Sequence, residues 1–366
     1  MDRVLLNQKT VNSRTSLKKI QKTSSRGYCR GKSISKTRIG KLFRLDSGEM
    51  IEKASEFTSP EINLDRLLEL LEVHNLTGMS GNGFAIKTKL ESFLQKQSPK
   101  FLLVNGVECE PGLLHDEWIL HNYWDEVSKG IQFLSQMIPF ERCVLAHKMT
   151  KEEKKENKEN KENKSAMGFE VCTIAAKYPM GEEHLLVKQV FGKTLRGEEH
   201  PVDAGILVMN VQSIYQIYCL LIGQYHAGRF VTLADLDSGE ARVAYVTRGE
   251  SIKEKLTENF PKSKGKDCFA GSGIMSAHEL KEGESFSDQI SFAAIGQSAH
   301  ICNDAPCKGC GTCTRKCPAG VNVRKIVKRR EADSQADISN LGIANCISCG
   351  SCTFFCKAGK NIFDYL

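Results

Sequence analysis

The sequence predicts an α/β domain, then a small β-rich module, then a cysteine-ligated C-terminal segment. Three observations carry that reading. Buried-strand and amphipathic-helix signals alternate between residues 60 and 222, short strand signals cluster from Phe230 to Phe260, and eight of the fifteen cysteines fall in two tight runs near the end. A chain of 366 residues is long enough for two or three domains with a full core. Its composition, 40% hydrophobic and 26% charged, is globular, and its length excludes a small disulfide scaffold. No apolar run approaches the roughly 20 residues of a membrane-spanning helix. No apolar h-region opens the chain, so a soluble protein of the reducing cytoplasm is the expectation.

The formal charge of +7 hides two unlike parts. Residues 1–41 hold twelve Lys and Arg against one acid, Asp2, a balance of +11; the remainder therefore carries 7 − 11 = −4. With few apolar side chains to offset the entropy of ordering, residues 1–55 are expected to form a basic, disordered arm. Such an arm suits solvation, an acidic partner or an anionic lipid surface, so any membrane association is expected to be peripheral. Only Tyr28 interleaves an aromatic ring with the charge, and nucleic acid is not expected. The Lys-Glu-Asn repeats of residues 151–164 read as a polar surface insertion.

Between these markers the elements follow in order. Ser59-Pro60-Glu61 predicts a helix start, with Leu64, Leu67, Leu68 and Leu71 at helical spacing behind it. A glycine-rich turn runs from Gly78 to Gly83. Phe101 to Val104 reads as a buried strand ending at Asn105-Gly106, and Trp118 to Met137 as one helix. Cys143–Ala146, Val171–Ala175 and Gly205–Met209 read as further strands, with helices from Glu182 and Gln212. Alternation of this kind argues for a sheet covered on both faces, over residues 56–225. Residues 226–298 differ: two strands flank Asp237-Ser238-Gly239 and a helix starts at Ser251.

The chemistry is most legible in residues 299–366. Cys307, Cys310, Cys313 and Cys317 follow C-x2-C-x2-C-x3-C with Pro318 behind, and Cys346, Cys349, Cys352 and Cys356 repeat the spacing with Lys357 in the proline position. That is the pattern of ferredoxins with two [4Fe–4S] clusters, in which the fourth Cys of each run serves the other cluster. The expected ligand sets are Cys307, Cys310, Cys313 and Cys356 for one cluster, and Cys346, Cys349, Cys352 and Cys317 for the other. Gly309, Gly311 and Gly350 keep Cβ atoms away from the sulfides. Zinc also takes four thiolates, but a zinc ribbon pairs two C-x2-C units and has no use for a third nearby Cys. The other seven cysteines are scattered and read as small buried hydrophobes, Cys302 being left open because it adjoins the first run. His74, His115, His121, His147, His184 and His200 show no metal spacing and read as ordinary.

Upstream, Gly78-Met79-Ser80-Gly81-Asn82-Gly83-Phe84 can bring backbone N–H groups against a phosphate or flat ring. Asn105 to Gly112 places two carboxylates and an amide at a strand end, while Tyr178 to Glu183 and Asn210 to Ser213 each open a helix. Taken in this order, ahead of the dicluster segment, these motifs resemble the RnfC family over about residues 60–360. That family includes the RnfC protein of the Rnf complex and cobalamin reductases of the PduS type, and is more distantly similar to the flavoprotein subunit of respiratory complex I. The resemblance implies an α/β flavin-binding, complex I flavoprotein-like domain, an SLBB β-grasp module, and an α-helical and loop dicluster ferredoxin-like domain. It implies FMN and NADH as well as the two clusters, with Gly78, Gly81, Gly83, Phe84, Lys89, Asn105, Glu108, Glu110, Glu183, Asn210 and Ser213 as the FMN or nicotinamide site. The chain departs from the family pattern at Ser80, Asn82, Ala85 and Met209, and loosely in residues 271–276. Read without the resemblance, Glu108, Glu110 and Glu183 are equally carboxylates that cap or solvate helix starts. Asn105 is then a turn closer, and Tyr178-Pro179 a loop corner.

The implied activity is that of an electron-transfer oxidoreductase subunit, carrying electrons from NADH through FMN and two [4Fe–4S] clusters to a protein acceptor. A ferredoxin, an Rnf-like membrane partner and a corrinoid protein are the candidate acceptors. The other readings are a flavin-free iron–sulfur adaptor, motivated by the departures in the turn, and a corrinoid reductase.

Overall fold

The computed structural model describes residues 44–48, 63–80, 83–97, 99–108, 110, 112–148, 168–174, 178–195, 199–274, 277–297 and 306–366. The expected insertion at 151–164, Ser59 to Glu61, and Cys29, Cys109 and Cys302 lie outside them, as do Gly81 and Asn82. Within them the first domain is built on a four-stranded parallel sheet, β2 (Phe101–Gly106), β3 (Arg142–Lys148), β4 (Glu170–Ile174) and β5 (Ile206–Asn210), in the order β4-β3-β2-β5.

Strand periodicity decides which helix packs where. On β2, Leu102 and Val104 point to one face and Leu103 to the other, because successive Cβ atoms alternate. The first face is covered by α1 (Leu64–Val73), α2 (Ile86–Leu94), α3 (His115–Asn122), α4 (Trp124–Met137) and α6 (Val211–Leu221). The second is covered by α5 (Glu183–Phe191) through Leu186 and Val187. Residues 211–221 are buried all along α6, as a central helix requires. The expected single helix over Trp118–Met137 is in fact two. Tyr123, at φ −129° and ψ 33°, breaks the run and buries its ring against Tyr215 and Phe230. The helix expected from Ser59 is described from Leu64, where Asn63 caps it by accepting from the Arg66 amide at 2.7 Å.

The second module is a mixed sheet with one helix across it. The hairpin β6 (Arg229–Asp235) and β7 (Glu240–Val246) turns at the expected Asp237-Ser238-Gly239, and α7 (Ile252–Asn259) is capped by Ser251. Then β8 (Cys268–Gly271) and β9 (His278–Glu279) precede β10 (Phe292–Ile295), which pairs parallel to β6 at the centre. A helix packed on a mixed sheet in this way is the general arrangement of a β-grasp. One face, with Phe230, Phe269 and Phe292, joins the core of the first domain; Ile252 and Leu256 of α7 close the other.

The expectation of a disordered arm over residues 1–55 needs correction at its end. Arg44–Gly48 form β1, a strand parallel to β7 in which Arg44 is registered opposite Glu240. The full order of this sheet is therefore β1-β7-β6-β10-β8-β9. Backbone pairing to an open sheet edge supplies the order that side-chain composition does not. Gly48 lies against the Trp118 ring, where a Cβ would overlap it.

The C-terminal domain has α8 (Thr312–Arg315), α9 (Val323–Ala332) and α10 (Ser351–Phe354) around a core of few apolar side chains, including Val323, Ile326, Val327 and Ile362. A unit this small rarely holds itself together by apolar burial alone. Among the described residues no helix is long and apolar enough to cross a membrane.

Helices α4 and α6 approach closely at Gly130, where a Cβ would stand 2.8 Å from both the Ile214 carbonyl oxygen and its Cγ2. Gly130→Ala should therefore destabilise the protein by about 1–3 kcal/mol, overpacking outweighing a helix-propensity gain of about 1 kcal/mol. Thermal or denaturant unfolding measures the sign; stabilisation would contradict this packing.

Candidate functional site

The sheet order reverses at one place. Strands β3 and β4 lie on one side of β2, β5 lies on the other, and Asn105 at the end of β2 is registered opposite Asn210 at the end of β5. Open α/β sheets bind ligands beyond the carboxyl ends of their strands at such a switch point. A cavity of about 500 Å³ lies there, lined among others by Asn105, Glu108, Glu110, Tyr178, Glu183 and Asn210. A second cavity of about 330 Å³ adjoins it, with Gly78, Phe84, Lys89 and Ser213 in its wall. Ser80, Glu183 and Asn210 border both. Of the residues expected to bind FMN or nicotinamide, Gly83 lines neither cavity. It turns the chain at φ 65°, and Gly81 is outside the described residues.

Local geometry explains each placement. The glycine-rich turn is closed by Gly78 N donating to the Phe84 carbonyl at 2.7 Å. It is tied to the first turn of α6 by Met79 N, which donates to Ser213 Oγ at 3.1 Å. Phe84 is left 51% exposed, an aromatic face at a cavity edge rather than a core ring. Asn210 caps α6, its Oδ1 accepting from the Gln212 amide at 2.8 Å, so the helix N-terminus points into the smaller cavity, a geometry that favours a phosphate. Asn105 does two things: Oδ1 accepts from Val107 N at 2.9 Å, closing the strand end, and Nδ2 donates to the Gly181 carbonyl at 2.8 Å. Glu182, not Glu183, caps α5, while Glu183 pairs with Lys89 at 3.2 Å across the cavity. Glu110 accepts from Ser272 Oγ at 3.5 Å. A Cβ on Gly273 would overlap its carboxylate, so the loosely matching 271–274 loop owes its approach to that glycine.

Behind this wall lies a buried cluster of charge that sequence reading missed. Glu108 is ion-paired with Lys148 of β3 and also accepts the Glu117 amide at 3.3 Å. Asp116, 4% exposed, stands beside it. Burial, then the Glu108 charge, push its carboxyl up to about 7. His115 is drawn down to about 3 by burial and by the Arg229 and Lys148 charges, so this histidine, expected to be ordinary, is a neutral buried ring on the cavity. Arg229 crosses from the β-grasp module, donating to the Met79 carbonyl at 2.8 Å and to Ser291 Oγ at 2.7 Å. His184 and His200 also line the larger cavity. The signal available in sequence was the adjacency His115-Asp116 at a helix start, which carries no spacing of its own.

The dicluster segment docks onto the same cavity. Ile347, Ser348 and Cys349 form part of its wall, and Tyr178 Oη donates to the Cys349 carbonyl. The Tyr178 ring also packs at 6.2 Å from Phe354. Ser348 takes φ 52°, the counterpart of Gly309 at 65° in the first run, so a side chain is held in left-handed backbone where the other run uses glycine.

The thiols sort by neighbour. Cys313 feels Cys356 and Cys307, whereas Cys349 feels Cys317 and Cys346. Thus the fourth cysteine of each run sits with the first three of the other. Cys352 feels Cys349 and Cys346 before Cys313, and burial pushes its thiol up to about 12. Among the described residues no His, Cys, Asp and Glu side chains converge on a single-ion site. The thiol sets fit two cubane clusters, and the paired cavities with a helix N-terminus at one end fit a flavin mononucleotide.

Two family models match the chain: the Nuo51 FMN-binding domain over residues 71–219 and the 4Fe-4S dicluster domain over residues 306–360. Fold and site together define an oxidoreductase of the iron–sulfur flavoprotein class, with FMN and [4Fe–4S] clusters as its cofactors. More particularly, the chain is a homologue of the RnfC proteins, which are subunits of ion-translocating oxidoreductase complexes. It is 24% identical to that of Vibrio cholerae serotype O1 over 279 residues, covering 75% of this chain and 36% of the relative. For Rhodobacter capsulatus the figures are 23% over 272 residues, 73% and 52%. For Buchnera aphidicola from Acyrthosiphon pisum they are 23% over 262 residues, 70% and 55%. The chain thus spans between about a third and just over half of these relatives. Its fold is similar to a chain of an NAD+-reducing [NiFe]-hydrogenase in the H2-reduced state, with TM-score 0.56 and 15% identity. That likeness covers 81% of this chain and 60% of the other.

The thiol neighbours make a specific prediction. Cys317→Ser should remove the same reduced-cluster EPR signal as Cys346→Ser, and Cys356→Ser the other signal. If Cys317→Ser and Cys307→Ser instead affect one signal together, the runs ligate separately.

Proposed function

We propose that this chain is an electron-transfer subunit of the RnfC type, taking electrons from NADH at FMN and passing them singly through two [4Fe–4S] clusters to a protein acceptor. One observation carries the reading: the cavity that gathers Asn105, Glu108, Glu183 and Asn210 has the Cys349 loop in its wall. Flavin and cluster binding residues share a single chamber, bridged by Tyr178. FMN supplies the conversion of a two-electron donor into single-electron steps, which is the cofactor's chemistry; the chain binds, orients and shields.

On this reading the α6 N-terminus, Asn210 and Ser213 hold the phosphate, and Phe84 with the turn after Gly78 faces the ring system. Lys89 and Glu183 stay paired at the junction of the two cavities, and Glu108 and Glu110 face the nicotinamide. The cluster held by Cys346, Cys349, Cys352 and Cys317 receives electrons first. The cluster held by Cys307, Cys310, Cys313 and Cys356 hands them on, because Cys310 is exposed at the surface. The relatives' name places them in an ion-translocating complex, and we infer a membrane-bound partner for this chain, reached from the cytoplasmic side. The match to an FMN-binding domain argues against the flavin-free adaptor, and no residue of the site favours a corrinoid substrate.

The test is anaerobic reconstitution with iron, sulfide and FMN, followed by absorbance while NADH is added. Bleaching of flavin and cluster bands together is the expected result. Clusters that assemble without retaining flavin, and stay oxidised under NADH, would overturn it.

A further inference from the structure

One buried acid in the cavity wall has no part in cofactor binding or electron transfer. Asp116 is the second residue of α3; its Oδ2 accepts from Asn210 Nδ2 at 2.9 Å, while its Oδ1 is sealed from solvent and accepts no hydrogen bond. Every cation that faces it is committed elsewhere. Lys148 of β3 is ion-paired with Glu108. The guanidinium of Arg229, from β6, donates to the carbonyls of Met79 and Asp288 and to Ser291 Oγ. His115 Nε2 lies 3.9 Å from Oδ1, but burial and the two cations keep that ring neutral. Glu108 and Glu117 add negative charge on the same side. With Asp116 ionised the group would hold three carboxylates against two cations, one of those carboxylates with a bare buried oxygen. A buried charge without a donor is costly enough that the group neutralises instead.

We propose that Asp116 is a proton-holding residue of this cavity, its Oδ1 protonated at neutral pH and shielded by Glu108, so that it sets how well the cavity tolerates an anionic ligand. The consequence for FMN rests on the flavin reading; the proton itself does not. The sign follows from electrostatics. As pH rises through the raised range of this carboxyl, the wall gains one negative charge and anion affinity falls. At neutral pH and below, the wall is less negative and the phosphate is admitted. One buried charge at this range is worth on the order of tenfold in affinity.

The experiment uses the full chain labelled with 13C-aspartate. Infrared spectra of the ligand-free protein at pH 6 should show the carbonyl stretch of a protonated Asp that is absent in Asp116→Asn. Glu108→Gln, read by the same band, should lower the pH at which it disappears, which keeps the assignment testable if Asp116→Asn does not fold. In parallel, FMN affinity is followed by fluorescence quenching between pH 6 and pH 9, with riboflavin as the uncharged control. Wild type should lose about tenfold in FMN affinity across the range, beyond any change in Asp116→Asn, and riboflavin should show no such difference. No Asp116-dependent band at pH 6, or the same pH profile in both proteins, overturns the proposal. Failure of FMN to bind at any pH, with the band present, sinks the flavin reading and upholds the proton assignment.

Discussion

The parallel pairing of β2 with β5 is the constraint on which the rest of the molecule depends. Because Asn105 and Asn210 are registered partners, the two strands end together, and the chain must leave in opposite directions around one opening. From β5 the chain enters α6 at once, so a helix N-terminus with its unpaired amides faces that opening. From β2 it runs through Glu108 and Glu110 into α3, which brings His115 and Asp116 to the same wall. A one-residue slip of β2 would turn Leu103 into the face that Leu102 and Val104 fill, which burial on both sides forbids.

The β-grasp module acts as a brace for this opening rather than as a separate appendage. Phe230 packs among Tyr123, Tyr215 and Tyr245, fusing the two cores. Arg229, beside it on the same strand, reaches the backbone of the glycine-rich turn through Met79 and of a loop in its own module through Asp288. Met79 is held on its other side by Ser213 of α6. The turn is therefore clamped between two elements far apart in sequence, which suits a backbone that must meet a flat ligand at fixed distance. The dicluster domain is held differently. Phe354 joins the core of the first domain while the cysteine loops close on a few aliphatic side chains. Its folding energy leans on cluster ligation, as in other small metal-stapled units.

Much of the fold was legible in sequence because its signals are local. The buried runs of β2, β3 and β5, the caps Asn210 and Ser251, and the turn at Asp237-Ser238-Gly239 all declare themselves within a few residues. The break at Tyr123 did not, because its cause is a ring fitting between Tyr215 and Phe230, nearly a hundred residues away. Strand β1 was hidden in a basic stretch, since what orders it is the edge of β7. In the candidate site the motif residues were readable, but the partners that set their charge were not. Lys148 is an ordinary strand lysine until β3 places it beside Glu108, and Asp116 is an ordinary first-turn acid until α3 is buried.

The sequence by itself determined the chemistry that depends on spacing. Two C-x2-C-x2-C-x3-C runs specify cubane ligation because three thiolates on one short loop must serve one cluster. Only the tertiary structure decided what those clusters stand beside. Contacts such as Tyr178 to Cys349, 171 residues apart, depend on two domains docking, and no local pattern encodes a docking. The same holds for the cavity's charge. Whether a carboxyl is ionised depends on burial and on neighbours drawn from several elements, and those distances exist only once the chain is folded.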